Sequence, residues 1–399
     1  MPEKRSAPPG AARHAPVPFW RDIRVLAILS QLVVLGVVVV IGGYLLNNLV
    51  TAMDQKGFLP DLGFLGLTAG FEIAEKVIAY APSDTYADAL LVGLLNTLMV
   101  SIVGIVLATL LGLLVGIARL SRNWLVSRLA LGYVELFRNT PLLVQLFVLY
   151  FVVFLQMPPV RESLALPGAL YLNQRGVYLP RPELTSSGGP WLLSVVVGVV
   201  LAGLAWWLAG RREAAGRPVA GLRVLAISAL IGIPVLGWLS VPGGAVSFEA
   251  PELARFNIQG GLRFTPEFAA LTVGLALYTA AFIAEIIRGG IEAVSKGQRE
   301  AARAIGLREG QTLRLVVLPQ ALRVIIPPLT SQYLNLIKNS SLALAIGYAD
   351  LFNVSRTISE QTGQPVAVIV IVMAIYLVIS LITSVLMNFY NRAVQIPER

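Results

Sequence analysis

Eight runs of apolar residues, each long enough to form a helix that crosses a bilayer, dominate this sequence. About 20 apolar residues in a helix span the hydrocarbon core of a membrane. We therefore predict an all-α integral membrane protein with about eight transmembrane helices. The predicted spans are residues 24–46, 88–118, 129–156, 190–210, 221–240, 266–288, 321–338 and 364–390. The seventh is the least regular, because Pro327 and Pro328 interrupt it and Lys338 closes it.

The composition agrees with a membrane environment. Only 13% of the 399 residues are charged, about half the share found in soluble domains. The formal net charge of +9 fits basic loops that face anionic membrane lipid, and nucleic acid is not an expected partner. The chain has no cysteine and one histidine, His14, in a polar tail. This excludes disulfides, thiolate catalysis and Cys/His metal sites.

The positions of basic residues predict the orientation of the chain. The segment before the first span and the loops after the second, fourth and sixth spans are basic, whereas the loops between them are not. Because basic loops stay in the cytoplasm, we expect both termini there. The basic residues concerned are Lys4, Arg5, Arg13, Arg21, Arg24, Arg119, Arg122, Arg128, Arg211, Arg212, Arg217, Arg223, Lys296, Arg299, Arg303, Arg308 and Arg314.

These features divide the chain into five regions. Residues 1–23, rich in Pro, Ala and basic groups, are expected to form a disordered cytoplasmic tail. Residues 24–86 hold the first span and an acidic, ordered or half-ordered outer segment. Residues 87–156 and 264–399 carry polar groups within their spans and are predicted to be the two halves of a functional core. Residues 157–263 are expected to be an insertion that adds an almost wholly apolar helix pair.

The loop after the sixth span, 291–319, contains a specific pattern. Residues 292–305 predict a short, charged, Ala-rich helix that ends at Gly306 in the left-handed conformation. Pro319 is expected to limit how far the next helix extends backwards. The pattern resembles the cytoplasmic EAA loop of bacterial ABC importer permeases, with a valine in place of the usual isoleucine. The matching positions are Glu300, Ala301, Ala302, Gly306, Val316, Leu318 and Pro319.

A second segment narrows the resemblance. Residues 133–151 read YVELFRNTPLLVQLFVLYF and resemble the polar amino-acid branch of these permeases, the histidine/glutamine type, in which RNTP or RGTP precedes PLLVQ. Segments 92–121, 272–307 and 332–347 extend the resemblance over about half of the chain. The extra span pair after the PLLVQ helix resembles the long-form permease subunit of general L-amino-acid transporters.

The resemblance implies an ABC type I importer permease fold and the import of L-amino acids from the periplasm to the cytoplasm. It implies three partners: a cytoplasmic ABC ATPase dimer, a second permease subunit, expected to give a heterodimer, and a periplasmic amino-acid-binding protein. Contact with the ATPase is implied for Glu300, Ala301, Ala302, Gly306, Leu318 and Pro319. The sequence has no GxxxxGK[ST] phosphate loop. We therefore expect this chain to be neither an enzyme nor a cofactor-binding protein, with ATP and Mg²⁺ on the partner ATPase.

Polar residues inside the third span suggest a substrate path. Arg138, Asn139 and Thr140 precede Pro141 about ten residues into the span. A proline frees backbone groups of the preceding turn, and together with a cation they can receive an anion such as the α-carboxylate of an amino acid. The alternative is that Arg138 lies near the membrane surface and only anchors the helix.

Other polar groups within spans leave two interpretations open. Glu285 can contact a substrate ammonium or pair with Arg288 three residues on. The remaining candidates for the substrate path are Asn96, Thr97, Asn339 and Ser340, which can instead serve as hydrogen bonds between helices.

Three other classes of membrane protein were weighed. An ion-coupled secondary amino-acid transporter would need intramembrane acids and repeated halves, but acids in the spans are few and no clean repeat is visible. A membrane-bound enzyme would need a catalytic constellation, and none is visible in the sequence. A channel is the third alternative.

Overall fold

A computed structural model describes residues 23–55, 62–186, 188–215, 218–241, 243–254 and 257–394. The predicted tail, residues 1–23, lies outside these residues except for Ile23, where the first helix begins. Long apolar helices make up most of the described chain. Their lengths follow from the apolar runs, since a helix satisfies all its backbone hydrogen bonds internally where no water is present.

Seven helical segments are long and apolar enough to cross a membrane, and a bent helix pair supplies an eighth. The bent pair corresponds to the predicted third span, so the structure contains the seven to eight apolar helices expected of a protein with about eight spans. The helices concerned are α1 (Ile23–Gln55), α2 (Tyr86–Arg119), the bent pair α3 (Trp124–Asn139) and α4 (Leu142–Phe147), α5 (Gly189–Ala214), α6 (Ala220–Leu239), α7 (Pro266–Glu292), α10 (Leu318–Asn339) and α12 (Pro365–Val394). Shorter helices α8, α9 and α11 lie between them and are described below.

The core is built on the close packing of α2 against α7. A Cβ atom at Gly112 of α2 would lie 2.6 Å from Cγ2 of Ile283 on α7, and one at Gly116 would lie 3.0 Å from Cβ of Ile287. Small residues let two membrane helices approach this closely, and dispersion contacts then hold them together. The buried cluster around this contact includes Val100, Leu146, Leu271, Leu275, Ile283 and Leu336.

The predicted outer segment is ordered over residues 62–85. It begins with a 3₁₀ turn, Leu62–Gly66, and buries Phe64, Ile73 and Tyr80. These side chains form one cluster with the start of α2 and with α11 (Leu351–Thr362). By contrast, the described side chains of α1 are almost entirely exposed, so α1 offers its surface to lipid or to another subunit.

The insertion contains β-strands that the sequence did not lead us to expect. They are β1 (Leu164–Leu166), β2 (Leu170–Asn173), β3 (Gly176–Leu179), β4 (Arg181–Leu184), β5 (Val246–Glu249), β6 (Glu252–Leu253), β7 (Ile258–Gln259) and β8 (Leu262–Phe264). One antiparallel sheet has the order β1-β2-β3-β8, and β4–β5 and β6–β7 form two further antiparallel pairs. The predicted helix pair, α5 and α6, connects β4 to β5 and so begins and ends at this two-stranded sheet. The indole of Trp191 in α5 donates a hydrogen bond to the carbonyl of Pro234 in α6 at 3.1 Å.

Prolines in the second half of the core lie both at the start of a helix and inside it. Pro319 is in the first turn of α10, which agrees with the predicted limit on the backward extension of this α-helix. Helical structure extends backwards past Pro319 to α9 (Glu309–Thr312) through a π-helical stretch, Leu313–Val317. A π turn widens the helix immediately before the proline, which can relieve the clash between the ring and the preceding turn. α10 likewise continues through Pro327 and Pro328 and passes into a 3₁₀ helix, Ser340–Ile346.

Candidate functional site

The EAA loop forms a short exposed helix, α8 (Lys296–Ala304), with a well-defined end. Gly306 has φ +82°, the left-handed conformation predicted from the sequence. Its N–H donates to the carbonyl of Arg303 at 2.9 Å, and the N–H of Leu307 donates to that of Ala302 at 3.1 Å. This pair of hydrogen bonds is the Schellman arrangement, which satisfies carbonyls that the helix end would otherwise leave free.

Ion pairs and one backbone contact fix α8 relative to the membrane helices. The guanidinium of Arg299 donates to the carbonyl of Ile291. Glu309 pairs with Arg303 at 3.3 Å and with Arg122, in the loop between α2 and α3, at 2.9 Å. Each exposed ion pair contributes little alone, but together they join the loops that follow α2 and α7. The sequence analysis missed this link because it joins residues 187 positions apart.

The exposed surface of α8 is partly apolar. Glu300, Ala301 and Gly306 are exposed, whereas Ala302 is buried against the protein. Ile305, immediately before the glycine, is 78% exposed, so it is available to a protein that docks on this helix end. Leu318 is also exposed and Pro319 is half-buried. The sequence pattern did not single out Ile305, although its place beside the helix-ending glycine is a usable signal.

The third span breaks at the predicted position. The angle between α3 and Leu142–Phe154, the segment in which a π-helical stretch continues α4, is 104°. Between them Thr140 has extended backbone angles, φ −100° and ψ 131°, which suits a residue before proline. Nε2 of Gln145 donates to the carbonyls of Phe137 and Thr140, both at 2.9 Å. This buried glutamine satisfies carbonyls that the break leaves free, and sequence reasoning did not assign it that role.

The three polar residues at the break point in different directions. The guanidinium of Arg138 lies 5.3 Å from the ring centre of Phe282 on α7, within the range of a cation–π contact. Asn139 donates to Glu135 at 2.8 Å, and the Thr140 hydroxyl donates to the carbonyl of Leu136 at 2.8 Å. Arg138 and Asn139 are exposed, so both can be reached by a ligand.

A partly buried charge cluster joins the ends of α2 and α7. Nε of Arg288 donates to both carboxylate oxygens of Glu285 at 3.1 Å, and Arg288 also pairs with Glu292. Arg119 of α2 lies 3.7 Å from Glu285, whose carboxylate also interacts electrostatically with Arg138. The predicted pairing of Glu285 with Arg288 is therefore present. Arg119 turns it into a link between two helices.

The other predicted path residues lie in a separate group nearer the outer segment. Asn96 and Thr97 are completely buried. Nδ2 of Asn96 donates to the carbonyls of Glu75 and Ala349, each at 2.8 Å, and Thr97 accepts from the N–H of Leu351 at 3.0 Å. Ser340 is also completely buried, and Asn339 is half-buried. In this conformation Asn96 and Thr97 make the hydrogen bonds between segments that the sequence left as an alternative.

An aspartate that sequence reasoning missed lies in the same group. Asp350 is completely buried and accepts from the N–H of Asn353 at 2.8 Å, which caps α11. The hydroxyl of Tyr376 on α12 lies beside it, together with Thr97 and Ser340. Burial raises the pKa of Asp350 to about 7, because a charged carboxylate is poorly solvated there.

A cavity of about 260 Å³ lies next to this group, between the outer segment, the start of α7 and residues 347–357. Glu72, Glu75 and Glu267 are among its lining residues. Glu75 accepts from the N–H of Thr265 at 3.0 Å, and Glu267 accepts from the Tyr150 hydroxyl at 2.6 Å. Burial raises the pKa of Glu75, although the contact with Thr265 opposes the shift.

Seven or eight potential spans, a broken helix within the core and a short exposed helix on one loop describe a multi-pass membrane protein. Residues 104–396 match the model of the family described as binding-protein-dependent transport system inner membrane component. The chain belongs to this family, which confirms the resemblance and the predicted permease fold. Members of the family are transport permeases and not themselves catalysts.

Three relatives are similar to this chain along almost its whole length. The chain is 46% identical over 376 residues to the putative amino-acid ABC transporter permease protein YhdX of Escherichia coli (strain K12), covering 92% of this chain and 94% of that protein. It is 44% identical over 372 residues to the general L-amino acid transport system permease protein AapQ of Rhizobium johnstonii, covering 92% of each. Against the glutamate/glutamine/aspartate/asparagine transport system permease protein BztB of Rhodobacter capsulatus, identity is 39% over 410 residues, covering 95% and 96%. The relatives give no support to the ion-coupled alternative.

Proposed function

We propose that this chain is the transmembrane subunit of an ATP-driven importer that carries L-amino acids from the periplasm into the cytoplasm. The observation that carries the proposal is α8. It is a short exposed helix whose end is held by Gly306 and whose surface presents Glu300, Ala301 and Ile305. The names of the relatives, which refer to amino-acid permeases, support the choice of substrate.

In this proposal α8 docks in a groove of a cytoplasmic ABC ATPase dimer, which binds ATP and Mg²⁺. The exposed Ile305 and Ala301 suit such a contact, since apolar anchors surrounded by polar groups are typical of protein interfaces. Closure of the ATPase pair moves α8. Arg299 and Glu309 pass this motion to α7 and to the loop after α2. Such rigid-body motion is a common route to switching between two states.

The proposed substrate path begins at the break between α3 and α4. Arg138 and Asn139 are exposed there, and Arg138 offers a planar pair of donors to a carboxylate. Glu285, in its partly buried cluster, is the proposed partner of the substrate ammonium. Asn96, Thr97, Asn339 and Ser340 are proposed to border the outer part of the path and to hold its walls together.

The proposed assembly contains two further proteins. A second permease subunit, related but different, would complete the path, and a periplasmic amino-acid-binding protein would deliver the substrate to the outer segment. The chain would lie in the bacterial inner membrane with both termini in the cytoplasm. The basic loops at 119–128, 211–223 and 296–314 support this orientation.

The experiment is amino-acid uptake by proteoliposomes that contain the assembled complex. With the binding protein outside and Mg²⁺-ATP inside, uptake of labelled L-amino acids should require ATP and should persist when ionophores collapse sodium and proton gradients. Liposomes loaded with a non-hydrolysable ATP analogue are the control. Uptake that needs no ATP and stops with an ionophore would establish the ion-coupled alternative instead.

A further inference from the structure

The helix pair α5 and α6 carries an apolar groove on its surface. The groove has a volume of about 370 Å³ and is lined on α5 by Leu201, Leu204, Ala205 and Leu208 and on α6 by Leu222, Leu225, Ser228, Ala229 and Ile233. The four residues of α5 recur at intervals of three and four, so they occupy one face of the helix. Both helices are long and apolar enough to cross the membrane. The groove is therefore open to the acyl chains of the bilayer.

A cation stands at one end of this groove. Arg212 follows Leu208 by four residues and lies on the same face of α5. Arg212 is exposed, so its guanidinium is accessible at this end of the groove. Arginine at the end of an apolar helix places its charge at the level of lipid headgroups.

The two neighbouring arginines that the structure describes are already engaged. The guanidinium of Arg211 lies 4.1 Å from the ring centre of Trp207, and Arg223 of α6 pairs with Glu213 of α5 at 2.7 Å. Among the residues that the structure describes, Arg212 forms no ion pair, hydrogen bond or ring contact. Arg212 at the end of the groove is complementary in charge to an anionic headgroup, and the apolar groove is complementary to the acyl chain joined to that headgroup.

We propose that the α5–α6 groove binds an anionic phospholipid, with one acyl chain between the helices and the phosphate on Arg212. The inference concerns the insertion and is independent of the amino-acid path, because no groove residue belongs to that path. The bound lipid would fill the space between α5 and α6 and anchor the insertion in the membrane.

The test is native mass spectrometry of the full-length chain, purified in detergent with its co-purifying subunits. The probes are palmitoyl-oleoyl phosphatidylglycerol and the phosphatidylcholine with the same chains. The parent should retain the anionic lipid more than the zwitterionic one. Arg212→Gln should lower retention of the anionic lipid about fivefold, the effect of one cation near a membrane surface. Arg211→Gln, one residue away with its cation on Trp207, should retain it like the parent.

A second pair of variants tests whether the acyl chain binds in the groove. Ser228 is an exposed residue of the groove, so Ser228→Phe fills the groove from outside without displacing the packed face of α6. Ser228→Phe should lose the lipid while Ser228→Ala keeps it. Equal retention by Arg212→Gln, equal loss with Arg211→Gln, or retention by Ser228→Phe would overturn the proposal. It would also be overturned if the parent did not discriminate between the lipids and Ser228→Phe released a co-purifying subunit, since a protein helix would then occupy the groove.

Discussion

Gln145 decides whether the break in the third span can persist inside a membrane. An unpaired carbonyl in hydrocarbon costs several kcal/mol, and the Gln145 amide supplies donors to two of them. The glutamine of the PLLVQ segment is therefore a positioning residue for the bend. Through the bend it also positions Arg138, which lies only two residues before Thr140.

Substitution of Arg138 tests whether the bend binds substrate. Lysine keeps the charge but cannot hold a carboxylate with two parallel hydrogen bonds. A charge-assisted hydrogen bond contributes about 1.5–3 kcal/mol. Arg138→Lys should therefore weaken amino-acid affinity, and Arg138→Ala should weaken it by roughly one to two decades. The measurement is the concentration dependence of uptake, normalised to assembled complex. If Arg138 is only an anchor, both variants will have the parental affinity and Ala will lower only the amount of protein in the membrane.

Asp350 should make the stability of the permease depend on pH. Its pKa is raised to about 7 in the folded chain, against about 3.9 when unfolded. The stability present below pH 4 is therefore lost as pH rises through 7, by about 2 kcal/mol between pH 5 and pH 7. Asp350→Asn keeps the helix cap and should reduce this slope. The check is the melting temperature of both proteins at pH 5, 6, 7 and 8. Parallel curves would show that Asp350 does not titrate in this range.

At the level of single elements, α8 combines local rigidity with an exposed surface. The Schellman end of this helix depends on a left-handed residue at 306, and its two hydrogen bonds involve only residues 302–307. The end can therefore form from local sequence alone. Its position, in contrast, depends on Arg122 and Ile291, which belong to other parts of the chain.

Gly306→Val should break the contact through which the permease and the ATPase are coupled, so that both uptake and the stimulation of ATP hydrolysis by substrate are lost. A β-branched residue in the left-handed conformation costs about 1–3 kcal/mol, which is enough to unravel the exposed end of α8. We expect uptake to be abolished while the protein still inserts into the membrane. Gly297→Ala is the matched control, because Gly297 lies in the same helix with no positive φ and open space at its Cβ. Normal substrate-stimulated ATP hydrolysis in Gly306→Val would refute the coupling role of this helix end.

At the level of the whole molecule, the insertion adds the β-strands and the α5–α6 helix pair to the helical core. β3 pairs with β8, and β4 pairs with β5, so the two segments that flank the α5–α6 pair meet on one side of the membrane. Because β4 precedes α5 and β5 follows α6, the two helices must cross the membrane in opposite directions to bring β4 and β5 together. This arrangement keeps α4 and α7 in contact although residues 148–265 lie between them in the chain.

The predicted orientation can be measured because the chain has no cysteine. Single cysteines at positions 212 and 250 lie at opposite ends of the α5–α6 region, next to the basic turn and in the strand-bearing segment. In sealed cells with permeabilised outer membranes, an impermeant thiol reagent should label Ala250→Cys and not Arg212→Cys. Lysis of the cells should expose position 212 and serves as the control. Equal labelling of both positions before lysis would contradict the eight-span topology.

The sequence by itself determined the spans, the basic-loop pattern, the position of the break at Pro141 and the left-handed glycine of α8. These depend on apolar length, local charge and backbone sterics, which act over a few residues. It did not predict the strands of the insertion, because two- to four-residue strands carry almost no periodic signal. Pro327 and Pro328 were expected to interrupt the seventh span, but α10 continues through both, because membrane helices tolerate proline where the freed backbone groups find other partners.

Only the tertiary structure decided which polar groups meet. Asn96 contacts Ala349 across 253 positions, and Arg122 contacts Glu309 across 187. No local pattern can reveal such pairs. The buried state of Asp350 depends on the same packing, since Gly93 of α2 and Tyr376 of α12 lie beside it. Polar groups in a membrane core take their partners from whichever helices pack beside them, so the sequence supplies their chemistry and the packing decides their partners.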